Sequence, residues 1–350
     1  MKRVSKTCLG VLAVMLLLII LGGCGGQTAK DAAKKGAQGQ KVVVRFSHGF
    51  PAEGYYIAEE IKTWANLAMQ KSNGALEIQI YPAAQIYKDT EILEAIQTGS
   101  IESGHIFTYA LEKIIPQMKI LQIPFVFDSN TETIAKFLNS PQGKERFNAE
   151  MEKKGIKPIA WILYGQEEVG VTSNKEVKAP ADAKGMTVRI TSATQIPFFK
   201  KWGVNPSYLS GAEIYMALQR NVLQGAFGPL TGNIERKWYE VAPYHVILPL
   251  SVVESVICMN KNFFDKLPPE LQKAILDAGK EVESQTMAVA RAQMKKVFDE
   301  ARAKGIKVYN PTPAELKLWT EDSEKLWQEV CKDNPQLLED IKQVQKILKS

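Results

Sequence analysis

Arg189 is the residue of this chain best placed to do chemistry, and that chemistry is the holding of an anion. It lies in Met186-Thr187-Val188-Arg189-Ile190, a run that reads as a strand. Side chains alternate across a strand, so Val188 and Ile190 share one face and Arg189 takes the other, near the strand's carboxyl end. Ligands of open α/β sheets bind at such ends. A guanidinium there presents a planar fork that matches a carboxylate with two parallel hydrogen bonds. A surface Arg balanced by an acidic neighbour fits the same residues equally well. The other chemistry-bearing residues are scattered. His48, His105 and His245 are the three histidines, and no two are close in sequence; each reads as structural. Glu167 and Glu168 are adjacent and would point opposite ways on a strand, so they read as two solvated loop charges. There is no His-Glu-x-x-His, Cys-x-x-Cys, Gly-x-Ser-x-Gly or phosphate-binding Gly-rich loop. Scattered triads leave no such motif, yet the absences argue against an enzyme. Neither a metal nor a cofactor is expected.

The elements that would position Arg189 follow an α/β pattern. Residues 42–46 read as a buried strand. Ile57, Ile61, Trp64 and Ala68 recur at helical spacing, and Leu76, Ile78 and Ile80 alternate with polar residues. This strand–helix–strand unit ends its helix at Asn73-Gly74 and supplies the crossover that parallel strands need. A short helix with Ile92, Leu93 and Ile96 stops at Gly99, and 101–107 is a further strand. The pattern resumes with strands at 156–163 and 186–190. Ser210-Gly211-Ala212-Glu213 has capping-box spacing and opens a helix whose stripe is Ile214, Leu218 and Val222. A mixed region spans 246–259. Pro268-Pro269 opens a helical period that meets no breaker before Gly305, about 50 Å of helix at about 1.5 Å per residue. That is longer than one small domain, so the helix spans two lobes. The tail, 313–348, reads as further amphipathic helix.

The chain of 350 residues begins with Lys2, Arg3 and Lys6, then an apolar run from residue 9 to 21. That run is too short to span a bilayer and has the length of a signal-peptide core. It ends in Leu21-Gly22-Gly23-Cys24, which resembles the lipobox of bacterial lipoproteins and implies that Cys24 is acylated and becomes the first residue. Residues 1–23 are then a signal peptide. Residues 24–40, rich in Gly, Ala, Lys and Gln, form a flexible tether. About 310 residues remain, which suits two domains. Removing the three basic leader residues from the net charge of +6 leaves +3, too little to argue for nucleic acid. Cys258 lies in an apolar run and reads as a buried thiol. It and Cys331 are expected to be free.

Several stretches together resemble the solute receptors of TRAP (tripartite ATP-independent periplasmic) transporters, the DctP-like family. They are Phe46-Ser47-His48, Ile80-Tyr81-Pro82-Ala83-Ala84-Gln85-Ile86, Leu93-Glu94-Ala95-Ile96-Gln97-Thr98-Gly99 and Leu121-Gln122-Ile123-Pro124-Phe125-Val126-Phe127. The most specific is Lys184-Gly185-Met186-Thr187-Val188-Arg189, where the family's Arg pairs with a substrate carboxylate. Glu213 to Gln219 and Leu223 to Pro229 are also similar, but the family often ends the latter in Gln-Glu-Asn-Pro. Here the run is Ala226-Phe227-Gly228-Pro229. Many members carry a second Arg just after the hinge, and residues 161–188 contain none. The pocket is therefore expected to have one strong anion clamp and an apolar wall, suited to a monocarboxylate. Further ligand-lining candidates by resemblance are His48, Tyr56, Trp161, Gln166 and Phe227. The resemblance implies an α/β, two-lobe periplasmic-binding-protein-like fold with a ligand cleft between lobes and a long inter-lobe helix. One lobe is expected from 41–164 plus 253–285, the other from 165–252 plus 286–350. The implied function is an extracytoplasmic receptor, lipid-anchored to the membrane, that delivers a small organic acid to the small and large membrane subunits of a TRAP permease. Alternatives are a receptor for an ATP-driven (ABC) importer or a sensor kinase, and, less favoured, an enzyme on the same scaffold.

Overall fold

The computed structural model describes residues 41–349. The expected signal peptide (1–23), the expected tether (24–40) and Cys24 lie outside the described residues. Two sheets organise the chain. The first contains β1 (Val42–Ser47), β2 (Leu76–Tyr81), β3 (Ser103–Phe107), β4 (Ile156–Leu163) and β10 (Glu254–Asn260), in the order β2-β1-β3-β10-β4. Strands β1, β2 and β3 are parallel, and β10 runs antiparallel to both β3 and β4. The second sheet contains β5 (Val169–Ser173), β6 (Thr187–Ile190), β7 (Asn205–Tyr208), β8 (Gly225–Pro229), β9 (Tyr244–Ile247) and β11 (Lys307–Tyr309), in the order β11-β9-β5-β8-β6-β7. This is the two-lobe α/β architecture the sequence implied.

The helix Tyr56–Lys71 buries Ile57, Ile61, Trp64 and Ala68, the stripe read from sequence. Asn73 and Gly74 take left-handed φ of 52° and 78° and turn the chain into β2. Gly99, at φ 76°, ends the next helix as expected. Cys258 and Cys331 are buried and unpaired with each other.

Two chain crossings join the lobes, at residues 164–168 and 248–253. Gln166 ties them together: its Nε2 donates to the Tyr164 and Val253 carbonyls, and its Oε1 accepts from Val253 N. The long helix, Pro269–Ala303, is a third link. It packs on the helix Tyr56–Lys71 and on β4, and its far end meets the helix Leu230–Glu235 and β11. Pro158 has no N–H to give the ladder, and the pairing of β4 with β10 shifts there, so that Ile159 is left as the extra residue of a bulge. That bulge lies under Gly279 of the long helix.

Three expectations are corrected. The helix carrying Ile214 and Leu218 stops at Gln219 because Asn221 turns left-handed, and Val222 is exposed. The tail is not one helix but three, Pro313–Thr320, Ser323–Val330 and Pro335–Lys349. Asp322, at φ 62°, breaks the first from the second. The last helix lies against the helix Thr131–Leu138, and its Asp340 pairs with Arg146 at 2.9 Å. Glu167 and Glu168 are not two solvated charges. Glu167 accepts from Thr131 N and Oγ1, and Glu168 is buried against Thr231, 63 positions away.

Candidate functional site

Strand alternation does what the sequence suggested: Val188 and Ile190 enter the core of the second lobe, and Arg189 points into a cleft between the lobes. The cleft is narrow, about 50 Å³, and residues of both lobes line it. Arg189 is only 6% exposed. Its Nε donates to the Leu209 carbonyl at 3.1 Å and its Nη1 to the Phe227 carbonyl at 3.0 Å. These bonds fix the plane of the guanidinium, which also lies 5.9 Å from the centre of the Tyr109 ring. Among the described residues no carboxylate pairs with it, and Nη2 has no hydrogen-bond partner. A buried cation without an acidic partner is costly.

The first lobe contributes Tyr55, Asp89, Phe107 and Tyr109. Asp89 Oδ2 accepts from Tyr109 OH at 3.1 Å and from Gly211 N at 3.3 Å, so it ties the two lobes together beside the cleft. Phe227, Trp238 and Val252 form apolar wall.

Of the candidates named from sequence, the structure brings only Arg189 and Phe227 together as lining residues. His48 is buried under Phe50, its Nδ1 accepting from Phe50 N, and burial first, then Lys62 and Arg236, lowers its pKa to about 4. It is neutral at physiological pH. Tyr56 packs edge-on against Tyr164. Gln166 holds the crossing segments. Trp161 faces away from the cleft: it stacks on Phe147, and its Nε1 donates to Asn148 Oδ1 at 2.9 Å.

The cleft also holds a second guanidinium, which the sequence analysis did not name. Arg236 lines the same cleft. Its guanidinium lies 5.8 Å from the ring centres of both Phe50 and Tyr55, a cation–π arrangement, and its Nη2 donates to the Gly49 carbonyl at 3.2 Å. It follows the helix Leu230–Glu235, which begins directly after β8. The start of that helix is held by Glu168, which accepts from Thr231 N and Oγ1. Burial, opposed by those bonds, pushes Glu168 up to about 7. Glu235, next to Arg236, is pushed up to about 9, chiefly by burial. Its Oε1 accepts from Tyr56 N at 3.4 Å. The signal that could have found Arg236 is its place just beyond the carboxyl end of β8, the strand beside Arg189's own.

Residues 46–334 match the model of the bacterial extracellular solute-binding proteins, family 7, named DctP. The C4-dicarboxylate-binding periplasmic protein DctP of Vibrio cholerae is 24% identical over 322 residues, 91% of this chain and 94% of that protein. Among solved structures, a Bordetella pertussis extracytoplasmic solute receptor binding pyroglutamic acid superposes with a TM-score of 0.78 at 22% identity, covering 86% of this chain and 99% of that one. A TRAP periplasmic solute-binding protein of Chromohalobacter salexigens with bound D-glucuronate gives 0.79 at 18% identity, covering 87% and 99%. With the family match running through both sheets and the cleft between them, the chain belongs to the DctP family of bacterial extracellular solute-binding proteins, and is a receptor rather than an enzyme.

Proposed function

We propose that this receptor captures a small organic acid by its carboxylate at Arg189, closes its two lobes on it and delivers it to the small and large membrane subunits of a TRAP permease. The observation that carries the reading is the Arg189 guanidinium, buried in an inter-lobe cleft without an acidic partner. A ligand carboxylate supplies the missing charge, and closure excludes the water that would otherwise screen the pair. The relatives named above bind a C4-dicarboxylate, pyroglutamic acid and D-glucuronate, which share a carboxylate and support that choice of ligand class. The moving bodies are residues 41–164 plus 253–285 and residues 165–252 plus 286–334, with the last helix counted with the first. They turn about the crossings that Gln166 ties together. The body hangs on lipid at Cys24 through the tether 24–40.

The test is calorimetry with the acid identified by mass spectrometry of what the purified protein releases on denaturation. Arg189→Ala removes one partner of a desolvated pair, typically about 2–5 kcal/mol, or roughly 30-fold and more in affinity. Arg189→Lys also loses affinity, because an ammonium lacks the planar fork. Binding within a few-fold of wild type by a folded Arg189→Ala, or equal binding of the methyl ester, ends the carboxylate reading.

A further inference from the structure

The cleft contains a second guanidinium whose chemistry the carboxylate at Arg189 does not use. Arg236 comes from a different element from Arg189, yet both flank one short segment. Arg189 Nε bonds the Leu209 carbonyl, and a Cβ built on Gly211 would lie 3.3 Å from Arg236 Cζ. Both charges also act on the Tyr109 hydroxyl, with Asp89. Among the described residues the Arg236 guanidinium makes a single hydrogen bond, to Gly49 in the other lobe. Among the described residues no carboxylate forms an ion pair with it. The single carboxylate lining the cleft, Asp89, has Oδ2 committed to Tyr109 and Gly211.

Arg236 is also held in place more firmly than a surface arginine. Glu168 grips Thr231 at the start of its helix, Asn233 Nδ2 donates to Thr172 Oγ1 at 2.9 Å, and Phe50 and Tyr55 sit against its guanidinium. A preorganised donor with free N–H groups, aimed into a cleft, is a specificity device, because a ligand that lacks the matching acceptor leaves those groups unpaired.

Resting on the reading of Arg189 as the carboxylate site, we propose that Arg236 is a specificity-determining ligand contact that takes a second oxygen function of the acid. The ligand class is then an organic acid with a carboxylate at one end, an oxygen acceptor (carboxylate, keto or hydroxyl) further along, and an apolar middle against Phe227 and Trp238. Arg236 also bonds Gly49 across the cleft, so the group that reads this second oxygen belongs to the contact that joins the lobes.

The experiment uses two matched pairs of probes, succinate with butyrate and D-glucuronate with cyclohexanecarboxylate. Each pair keeps size and one carboxylate and removes the other oxygens. Calorimetry is run on wild type, Arg236→Gln, Arg236→Lys and Arg189→Ala, with melting curves to confirm folding. Wild type is expected to prefer the oxygen-rich member of at least one pair by roughly tenfold or more. Arg236→Gln erases that preference while leaving the bare acid within about threefold, and Arg236→Lys keeps part of it. Arg189→Ala weakens both members of the pair. A purely structural Arg236 would instead shift both members equally. The proposal is overturned if wild type shows no preference in either pair, if Arg236→Gln retains it, or if both members weaken together. A retained preference in Arg236→Gln with binding lost in Arg189→Ala removes this inference and leaves the carboxylate site standing. An Arg189→Ala protein that binds normally, or no binding of any of the four acids by wild type, removes both.

Discussion

Gly279→Ala sets two opposing effects against each other at the seam between the long helix and the first sheet. In a helix interior Ala is favoured over Gly by about 0.5–1 kcal/mol. At this position a Cβ would lie 2.4 Å from the Ile159 carbonyl oxygen and 2.8 Å from Ile159 Cγ2. Ordinary contacts begin near 3.4 Å, so helix and strand must separate by on the order of 1 Å over a packed interface. Ile159 is the bulged residue of β4 and is flanked by ladder pairs on both sides, so the oxygen is backbone and cannot swing away. Overpacking of this kind costs about 1–3 kcal/mol, which exceeds the gain in propensity. The expected net loss is about 1–2 kcal/mol, a fall of roughly 1.5–3 °C in the melting temperature of a body this size. Gly165→Ala is the control. Its Cβ would strike the thioether of half-buried Met294, a flexible side chain that can rotate away, so it should cost less. Thermal unfolding followed by circular dichroism reads both. The reasoning fails if Gly279→Ala melts at or above wild type, or if Gly165→Ala is the more damaging of the two.

Stability should also fall as pH rises above about 6.5. Burial raises Glu60 to about 8 and Glu235 to about 9. Acids with raised folded pKa values give stability that is complete below their unfolded pKa, near 4.5, and is lost as pH passes the folded values. The buried histidines His48 and His245, lowered to about 4, act oppositely but only below about 6.5. The acids therefore set the sign between pH 6.5 and 9. Denaturant melts at pH 6.5, 8 and 9 should show a decline that Glu60→Gln makes shallower; an unchanged slope in that variant would clear Glu60 of any part. Replacing Cys24 with Ser should release the protein from membranes or leave the leader uncleaved, and mass spectrometry of the membrane fraction should find an acylated amino terminus in the wild type alone.

Local patterns were readable wherever one short stretch of chain decides the outcome. The alternation of Val188, Arg189 and Ile190 placed a guanidinium on the cleft side, and the stripe from Ile57 to Ala68 gave the buried face of its helix. The unbroken period after Pro269 gave a helix that reaches both sheets. The failures share a different physical origin. Glu168 looked solvated because its partner, Thr231, is 63 positions away. Arg236 follows a short helix without a clear stripe, and its place in the cleft is decided by Phe50, Tyr55 and Gly49 in the other lobe. His48, Tyr56 and Gln166 sit in the right neighbourhood but point into the core or the crossings. Neighbourhood is a property of the fold, while orientation is decided by packing partners remote in sequence.

The strand order of the first sheet also has a kinetic consequence. Strand β10 fits between β3 and β4 but is made from residues 254–260, about 90 positions after β4 ends. The second sheet differs, since β5 to β9 all lie within residues 169–247 and only its edge strand, β11, comes later. The first half therefore cannot close its hydrogen-bond ladder until residues 254–260 are available, so an amino-terminal-first order of folding is not open to it. Loop closure over such separations slows folding. For a member of an extracellular family that delay is useful: a first half that cannot close before residue 260 stays threadable while most of the chain crosses the membrane.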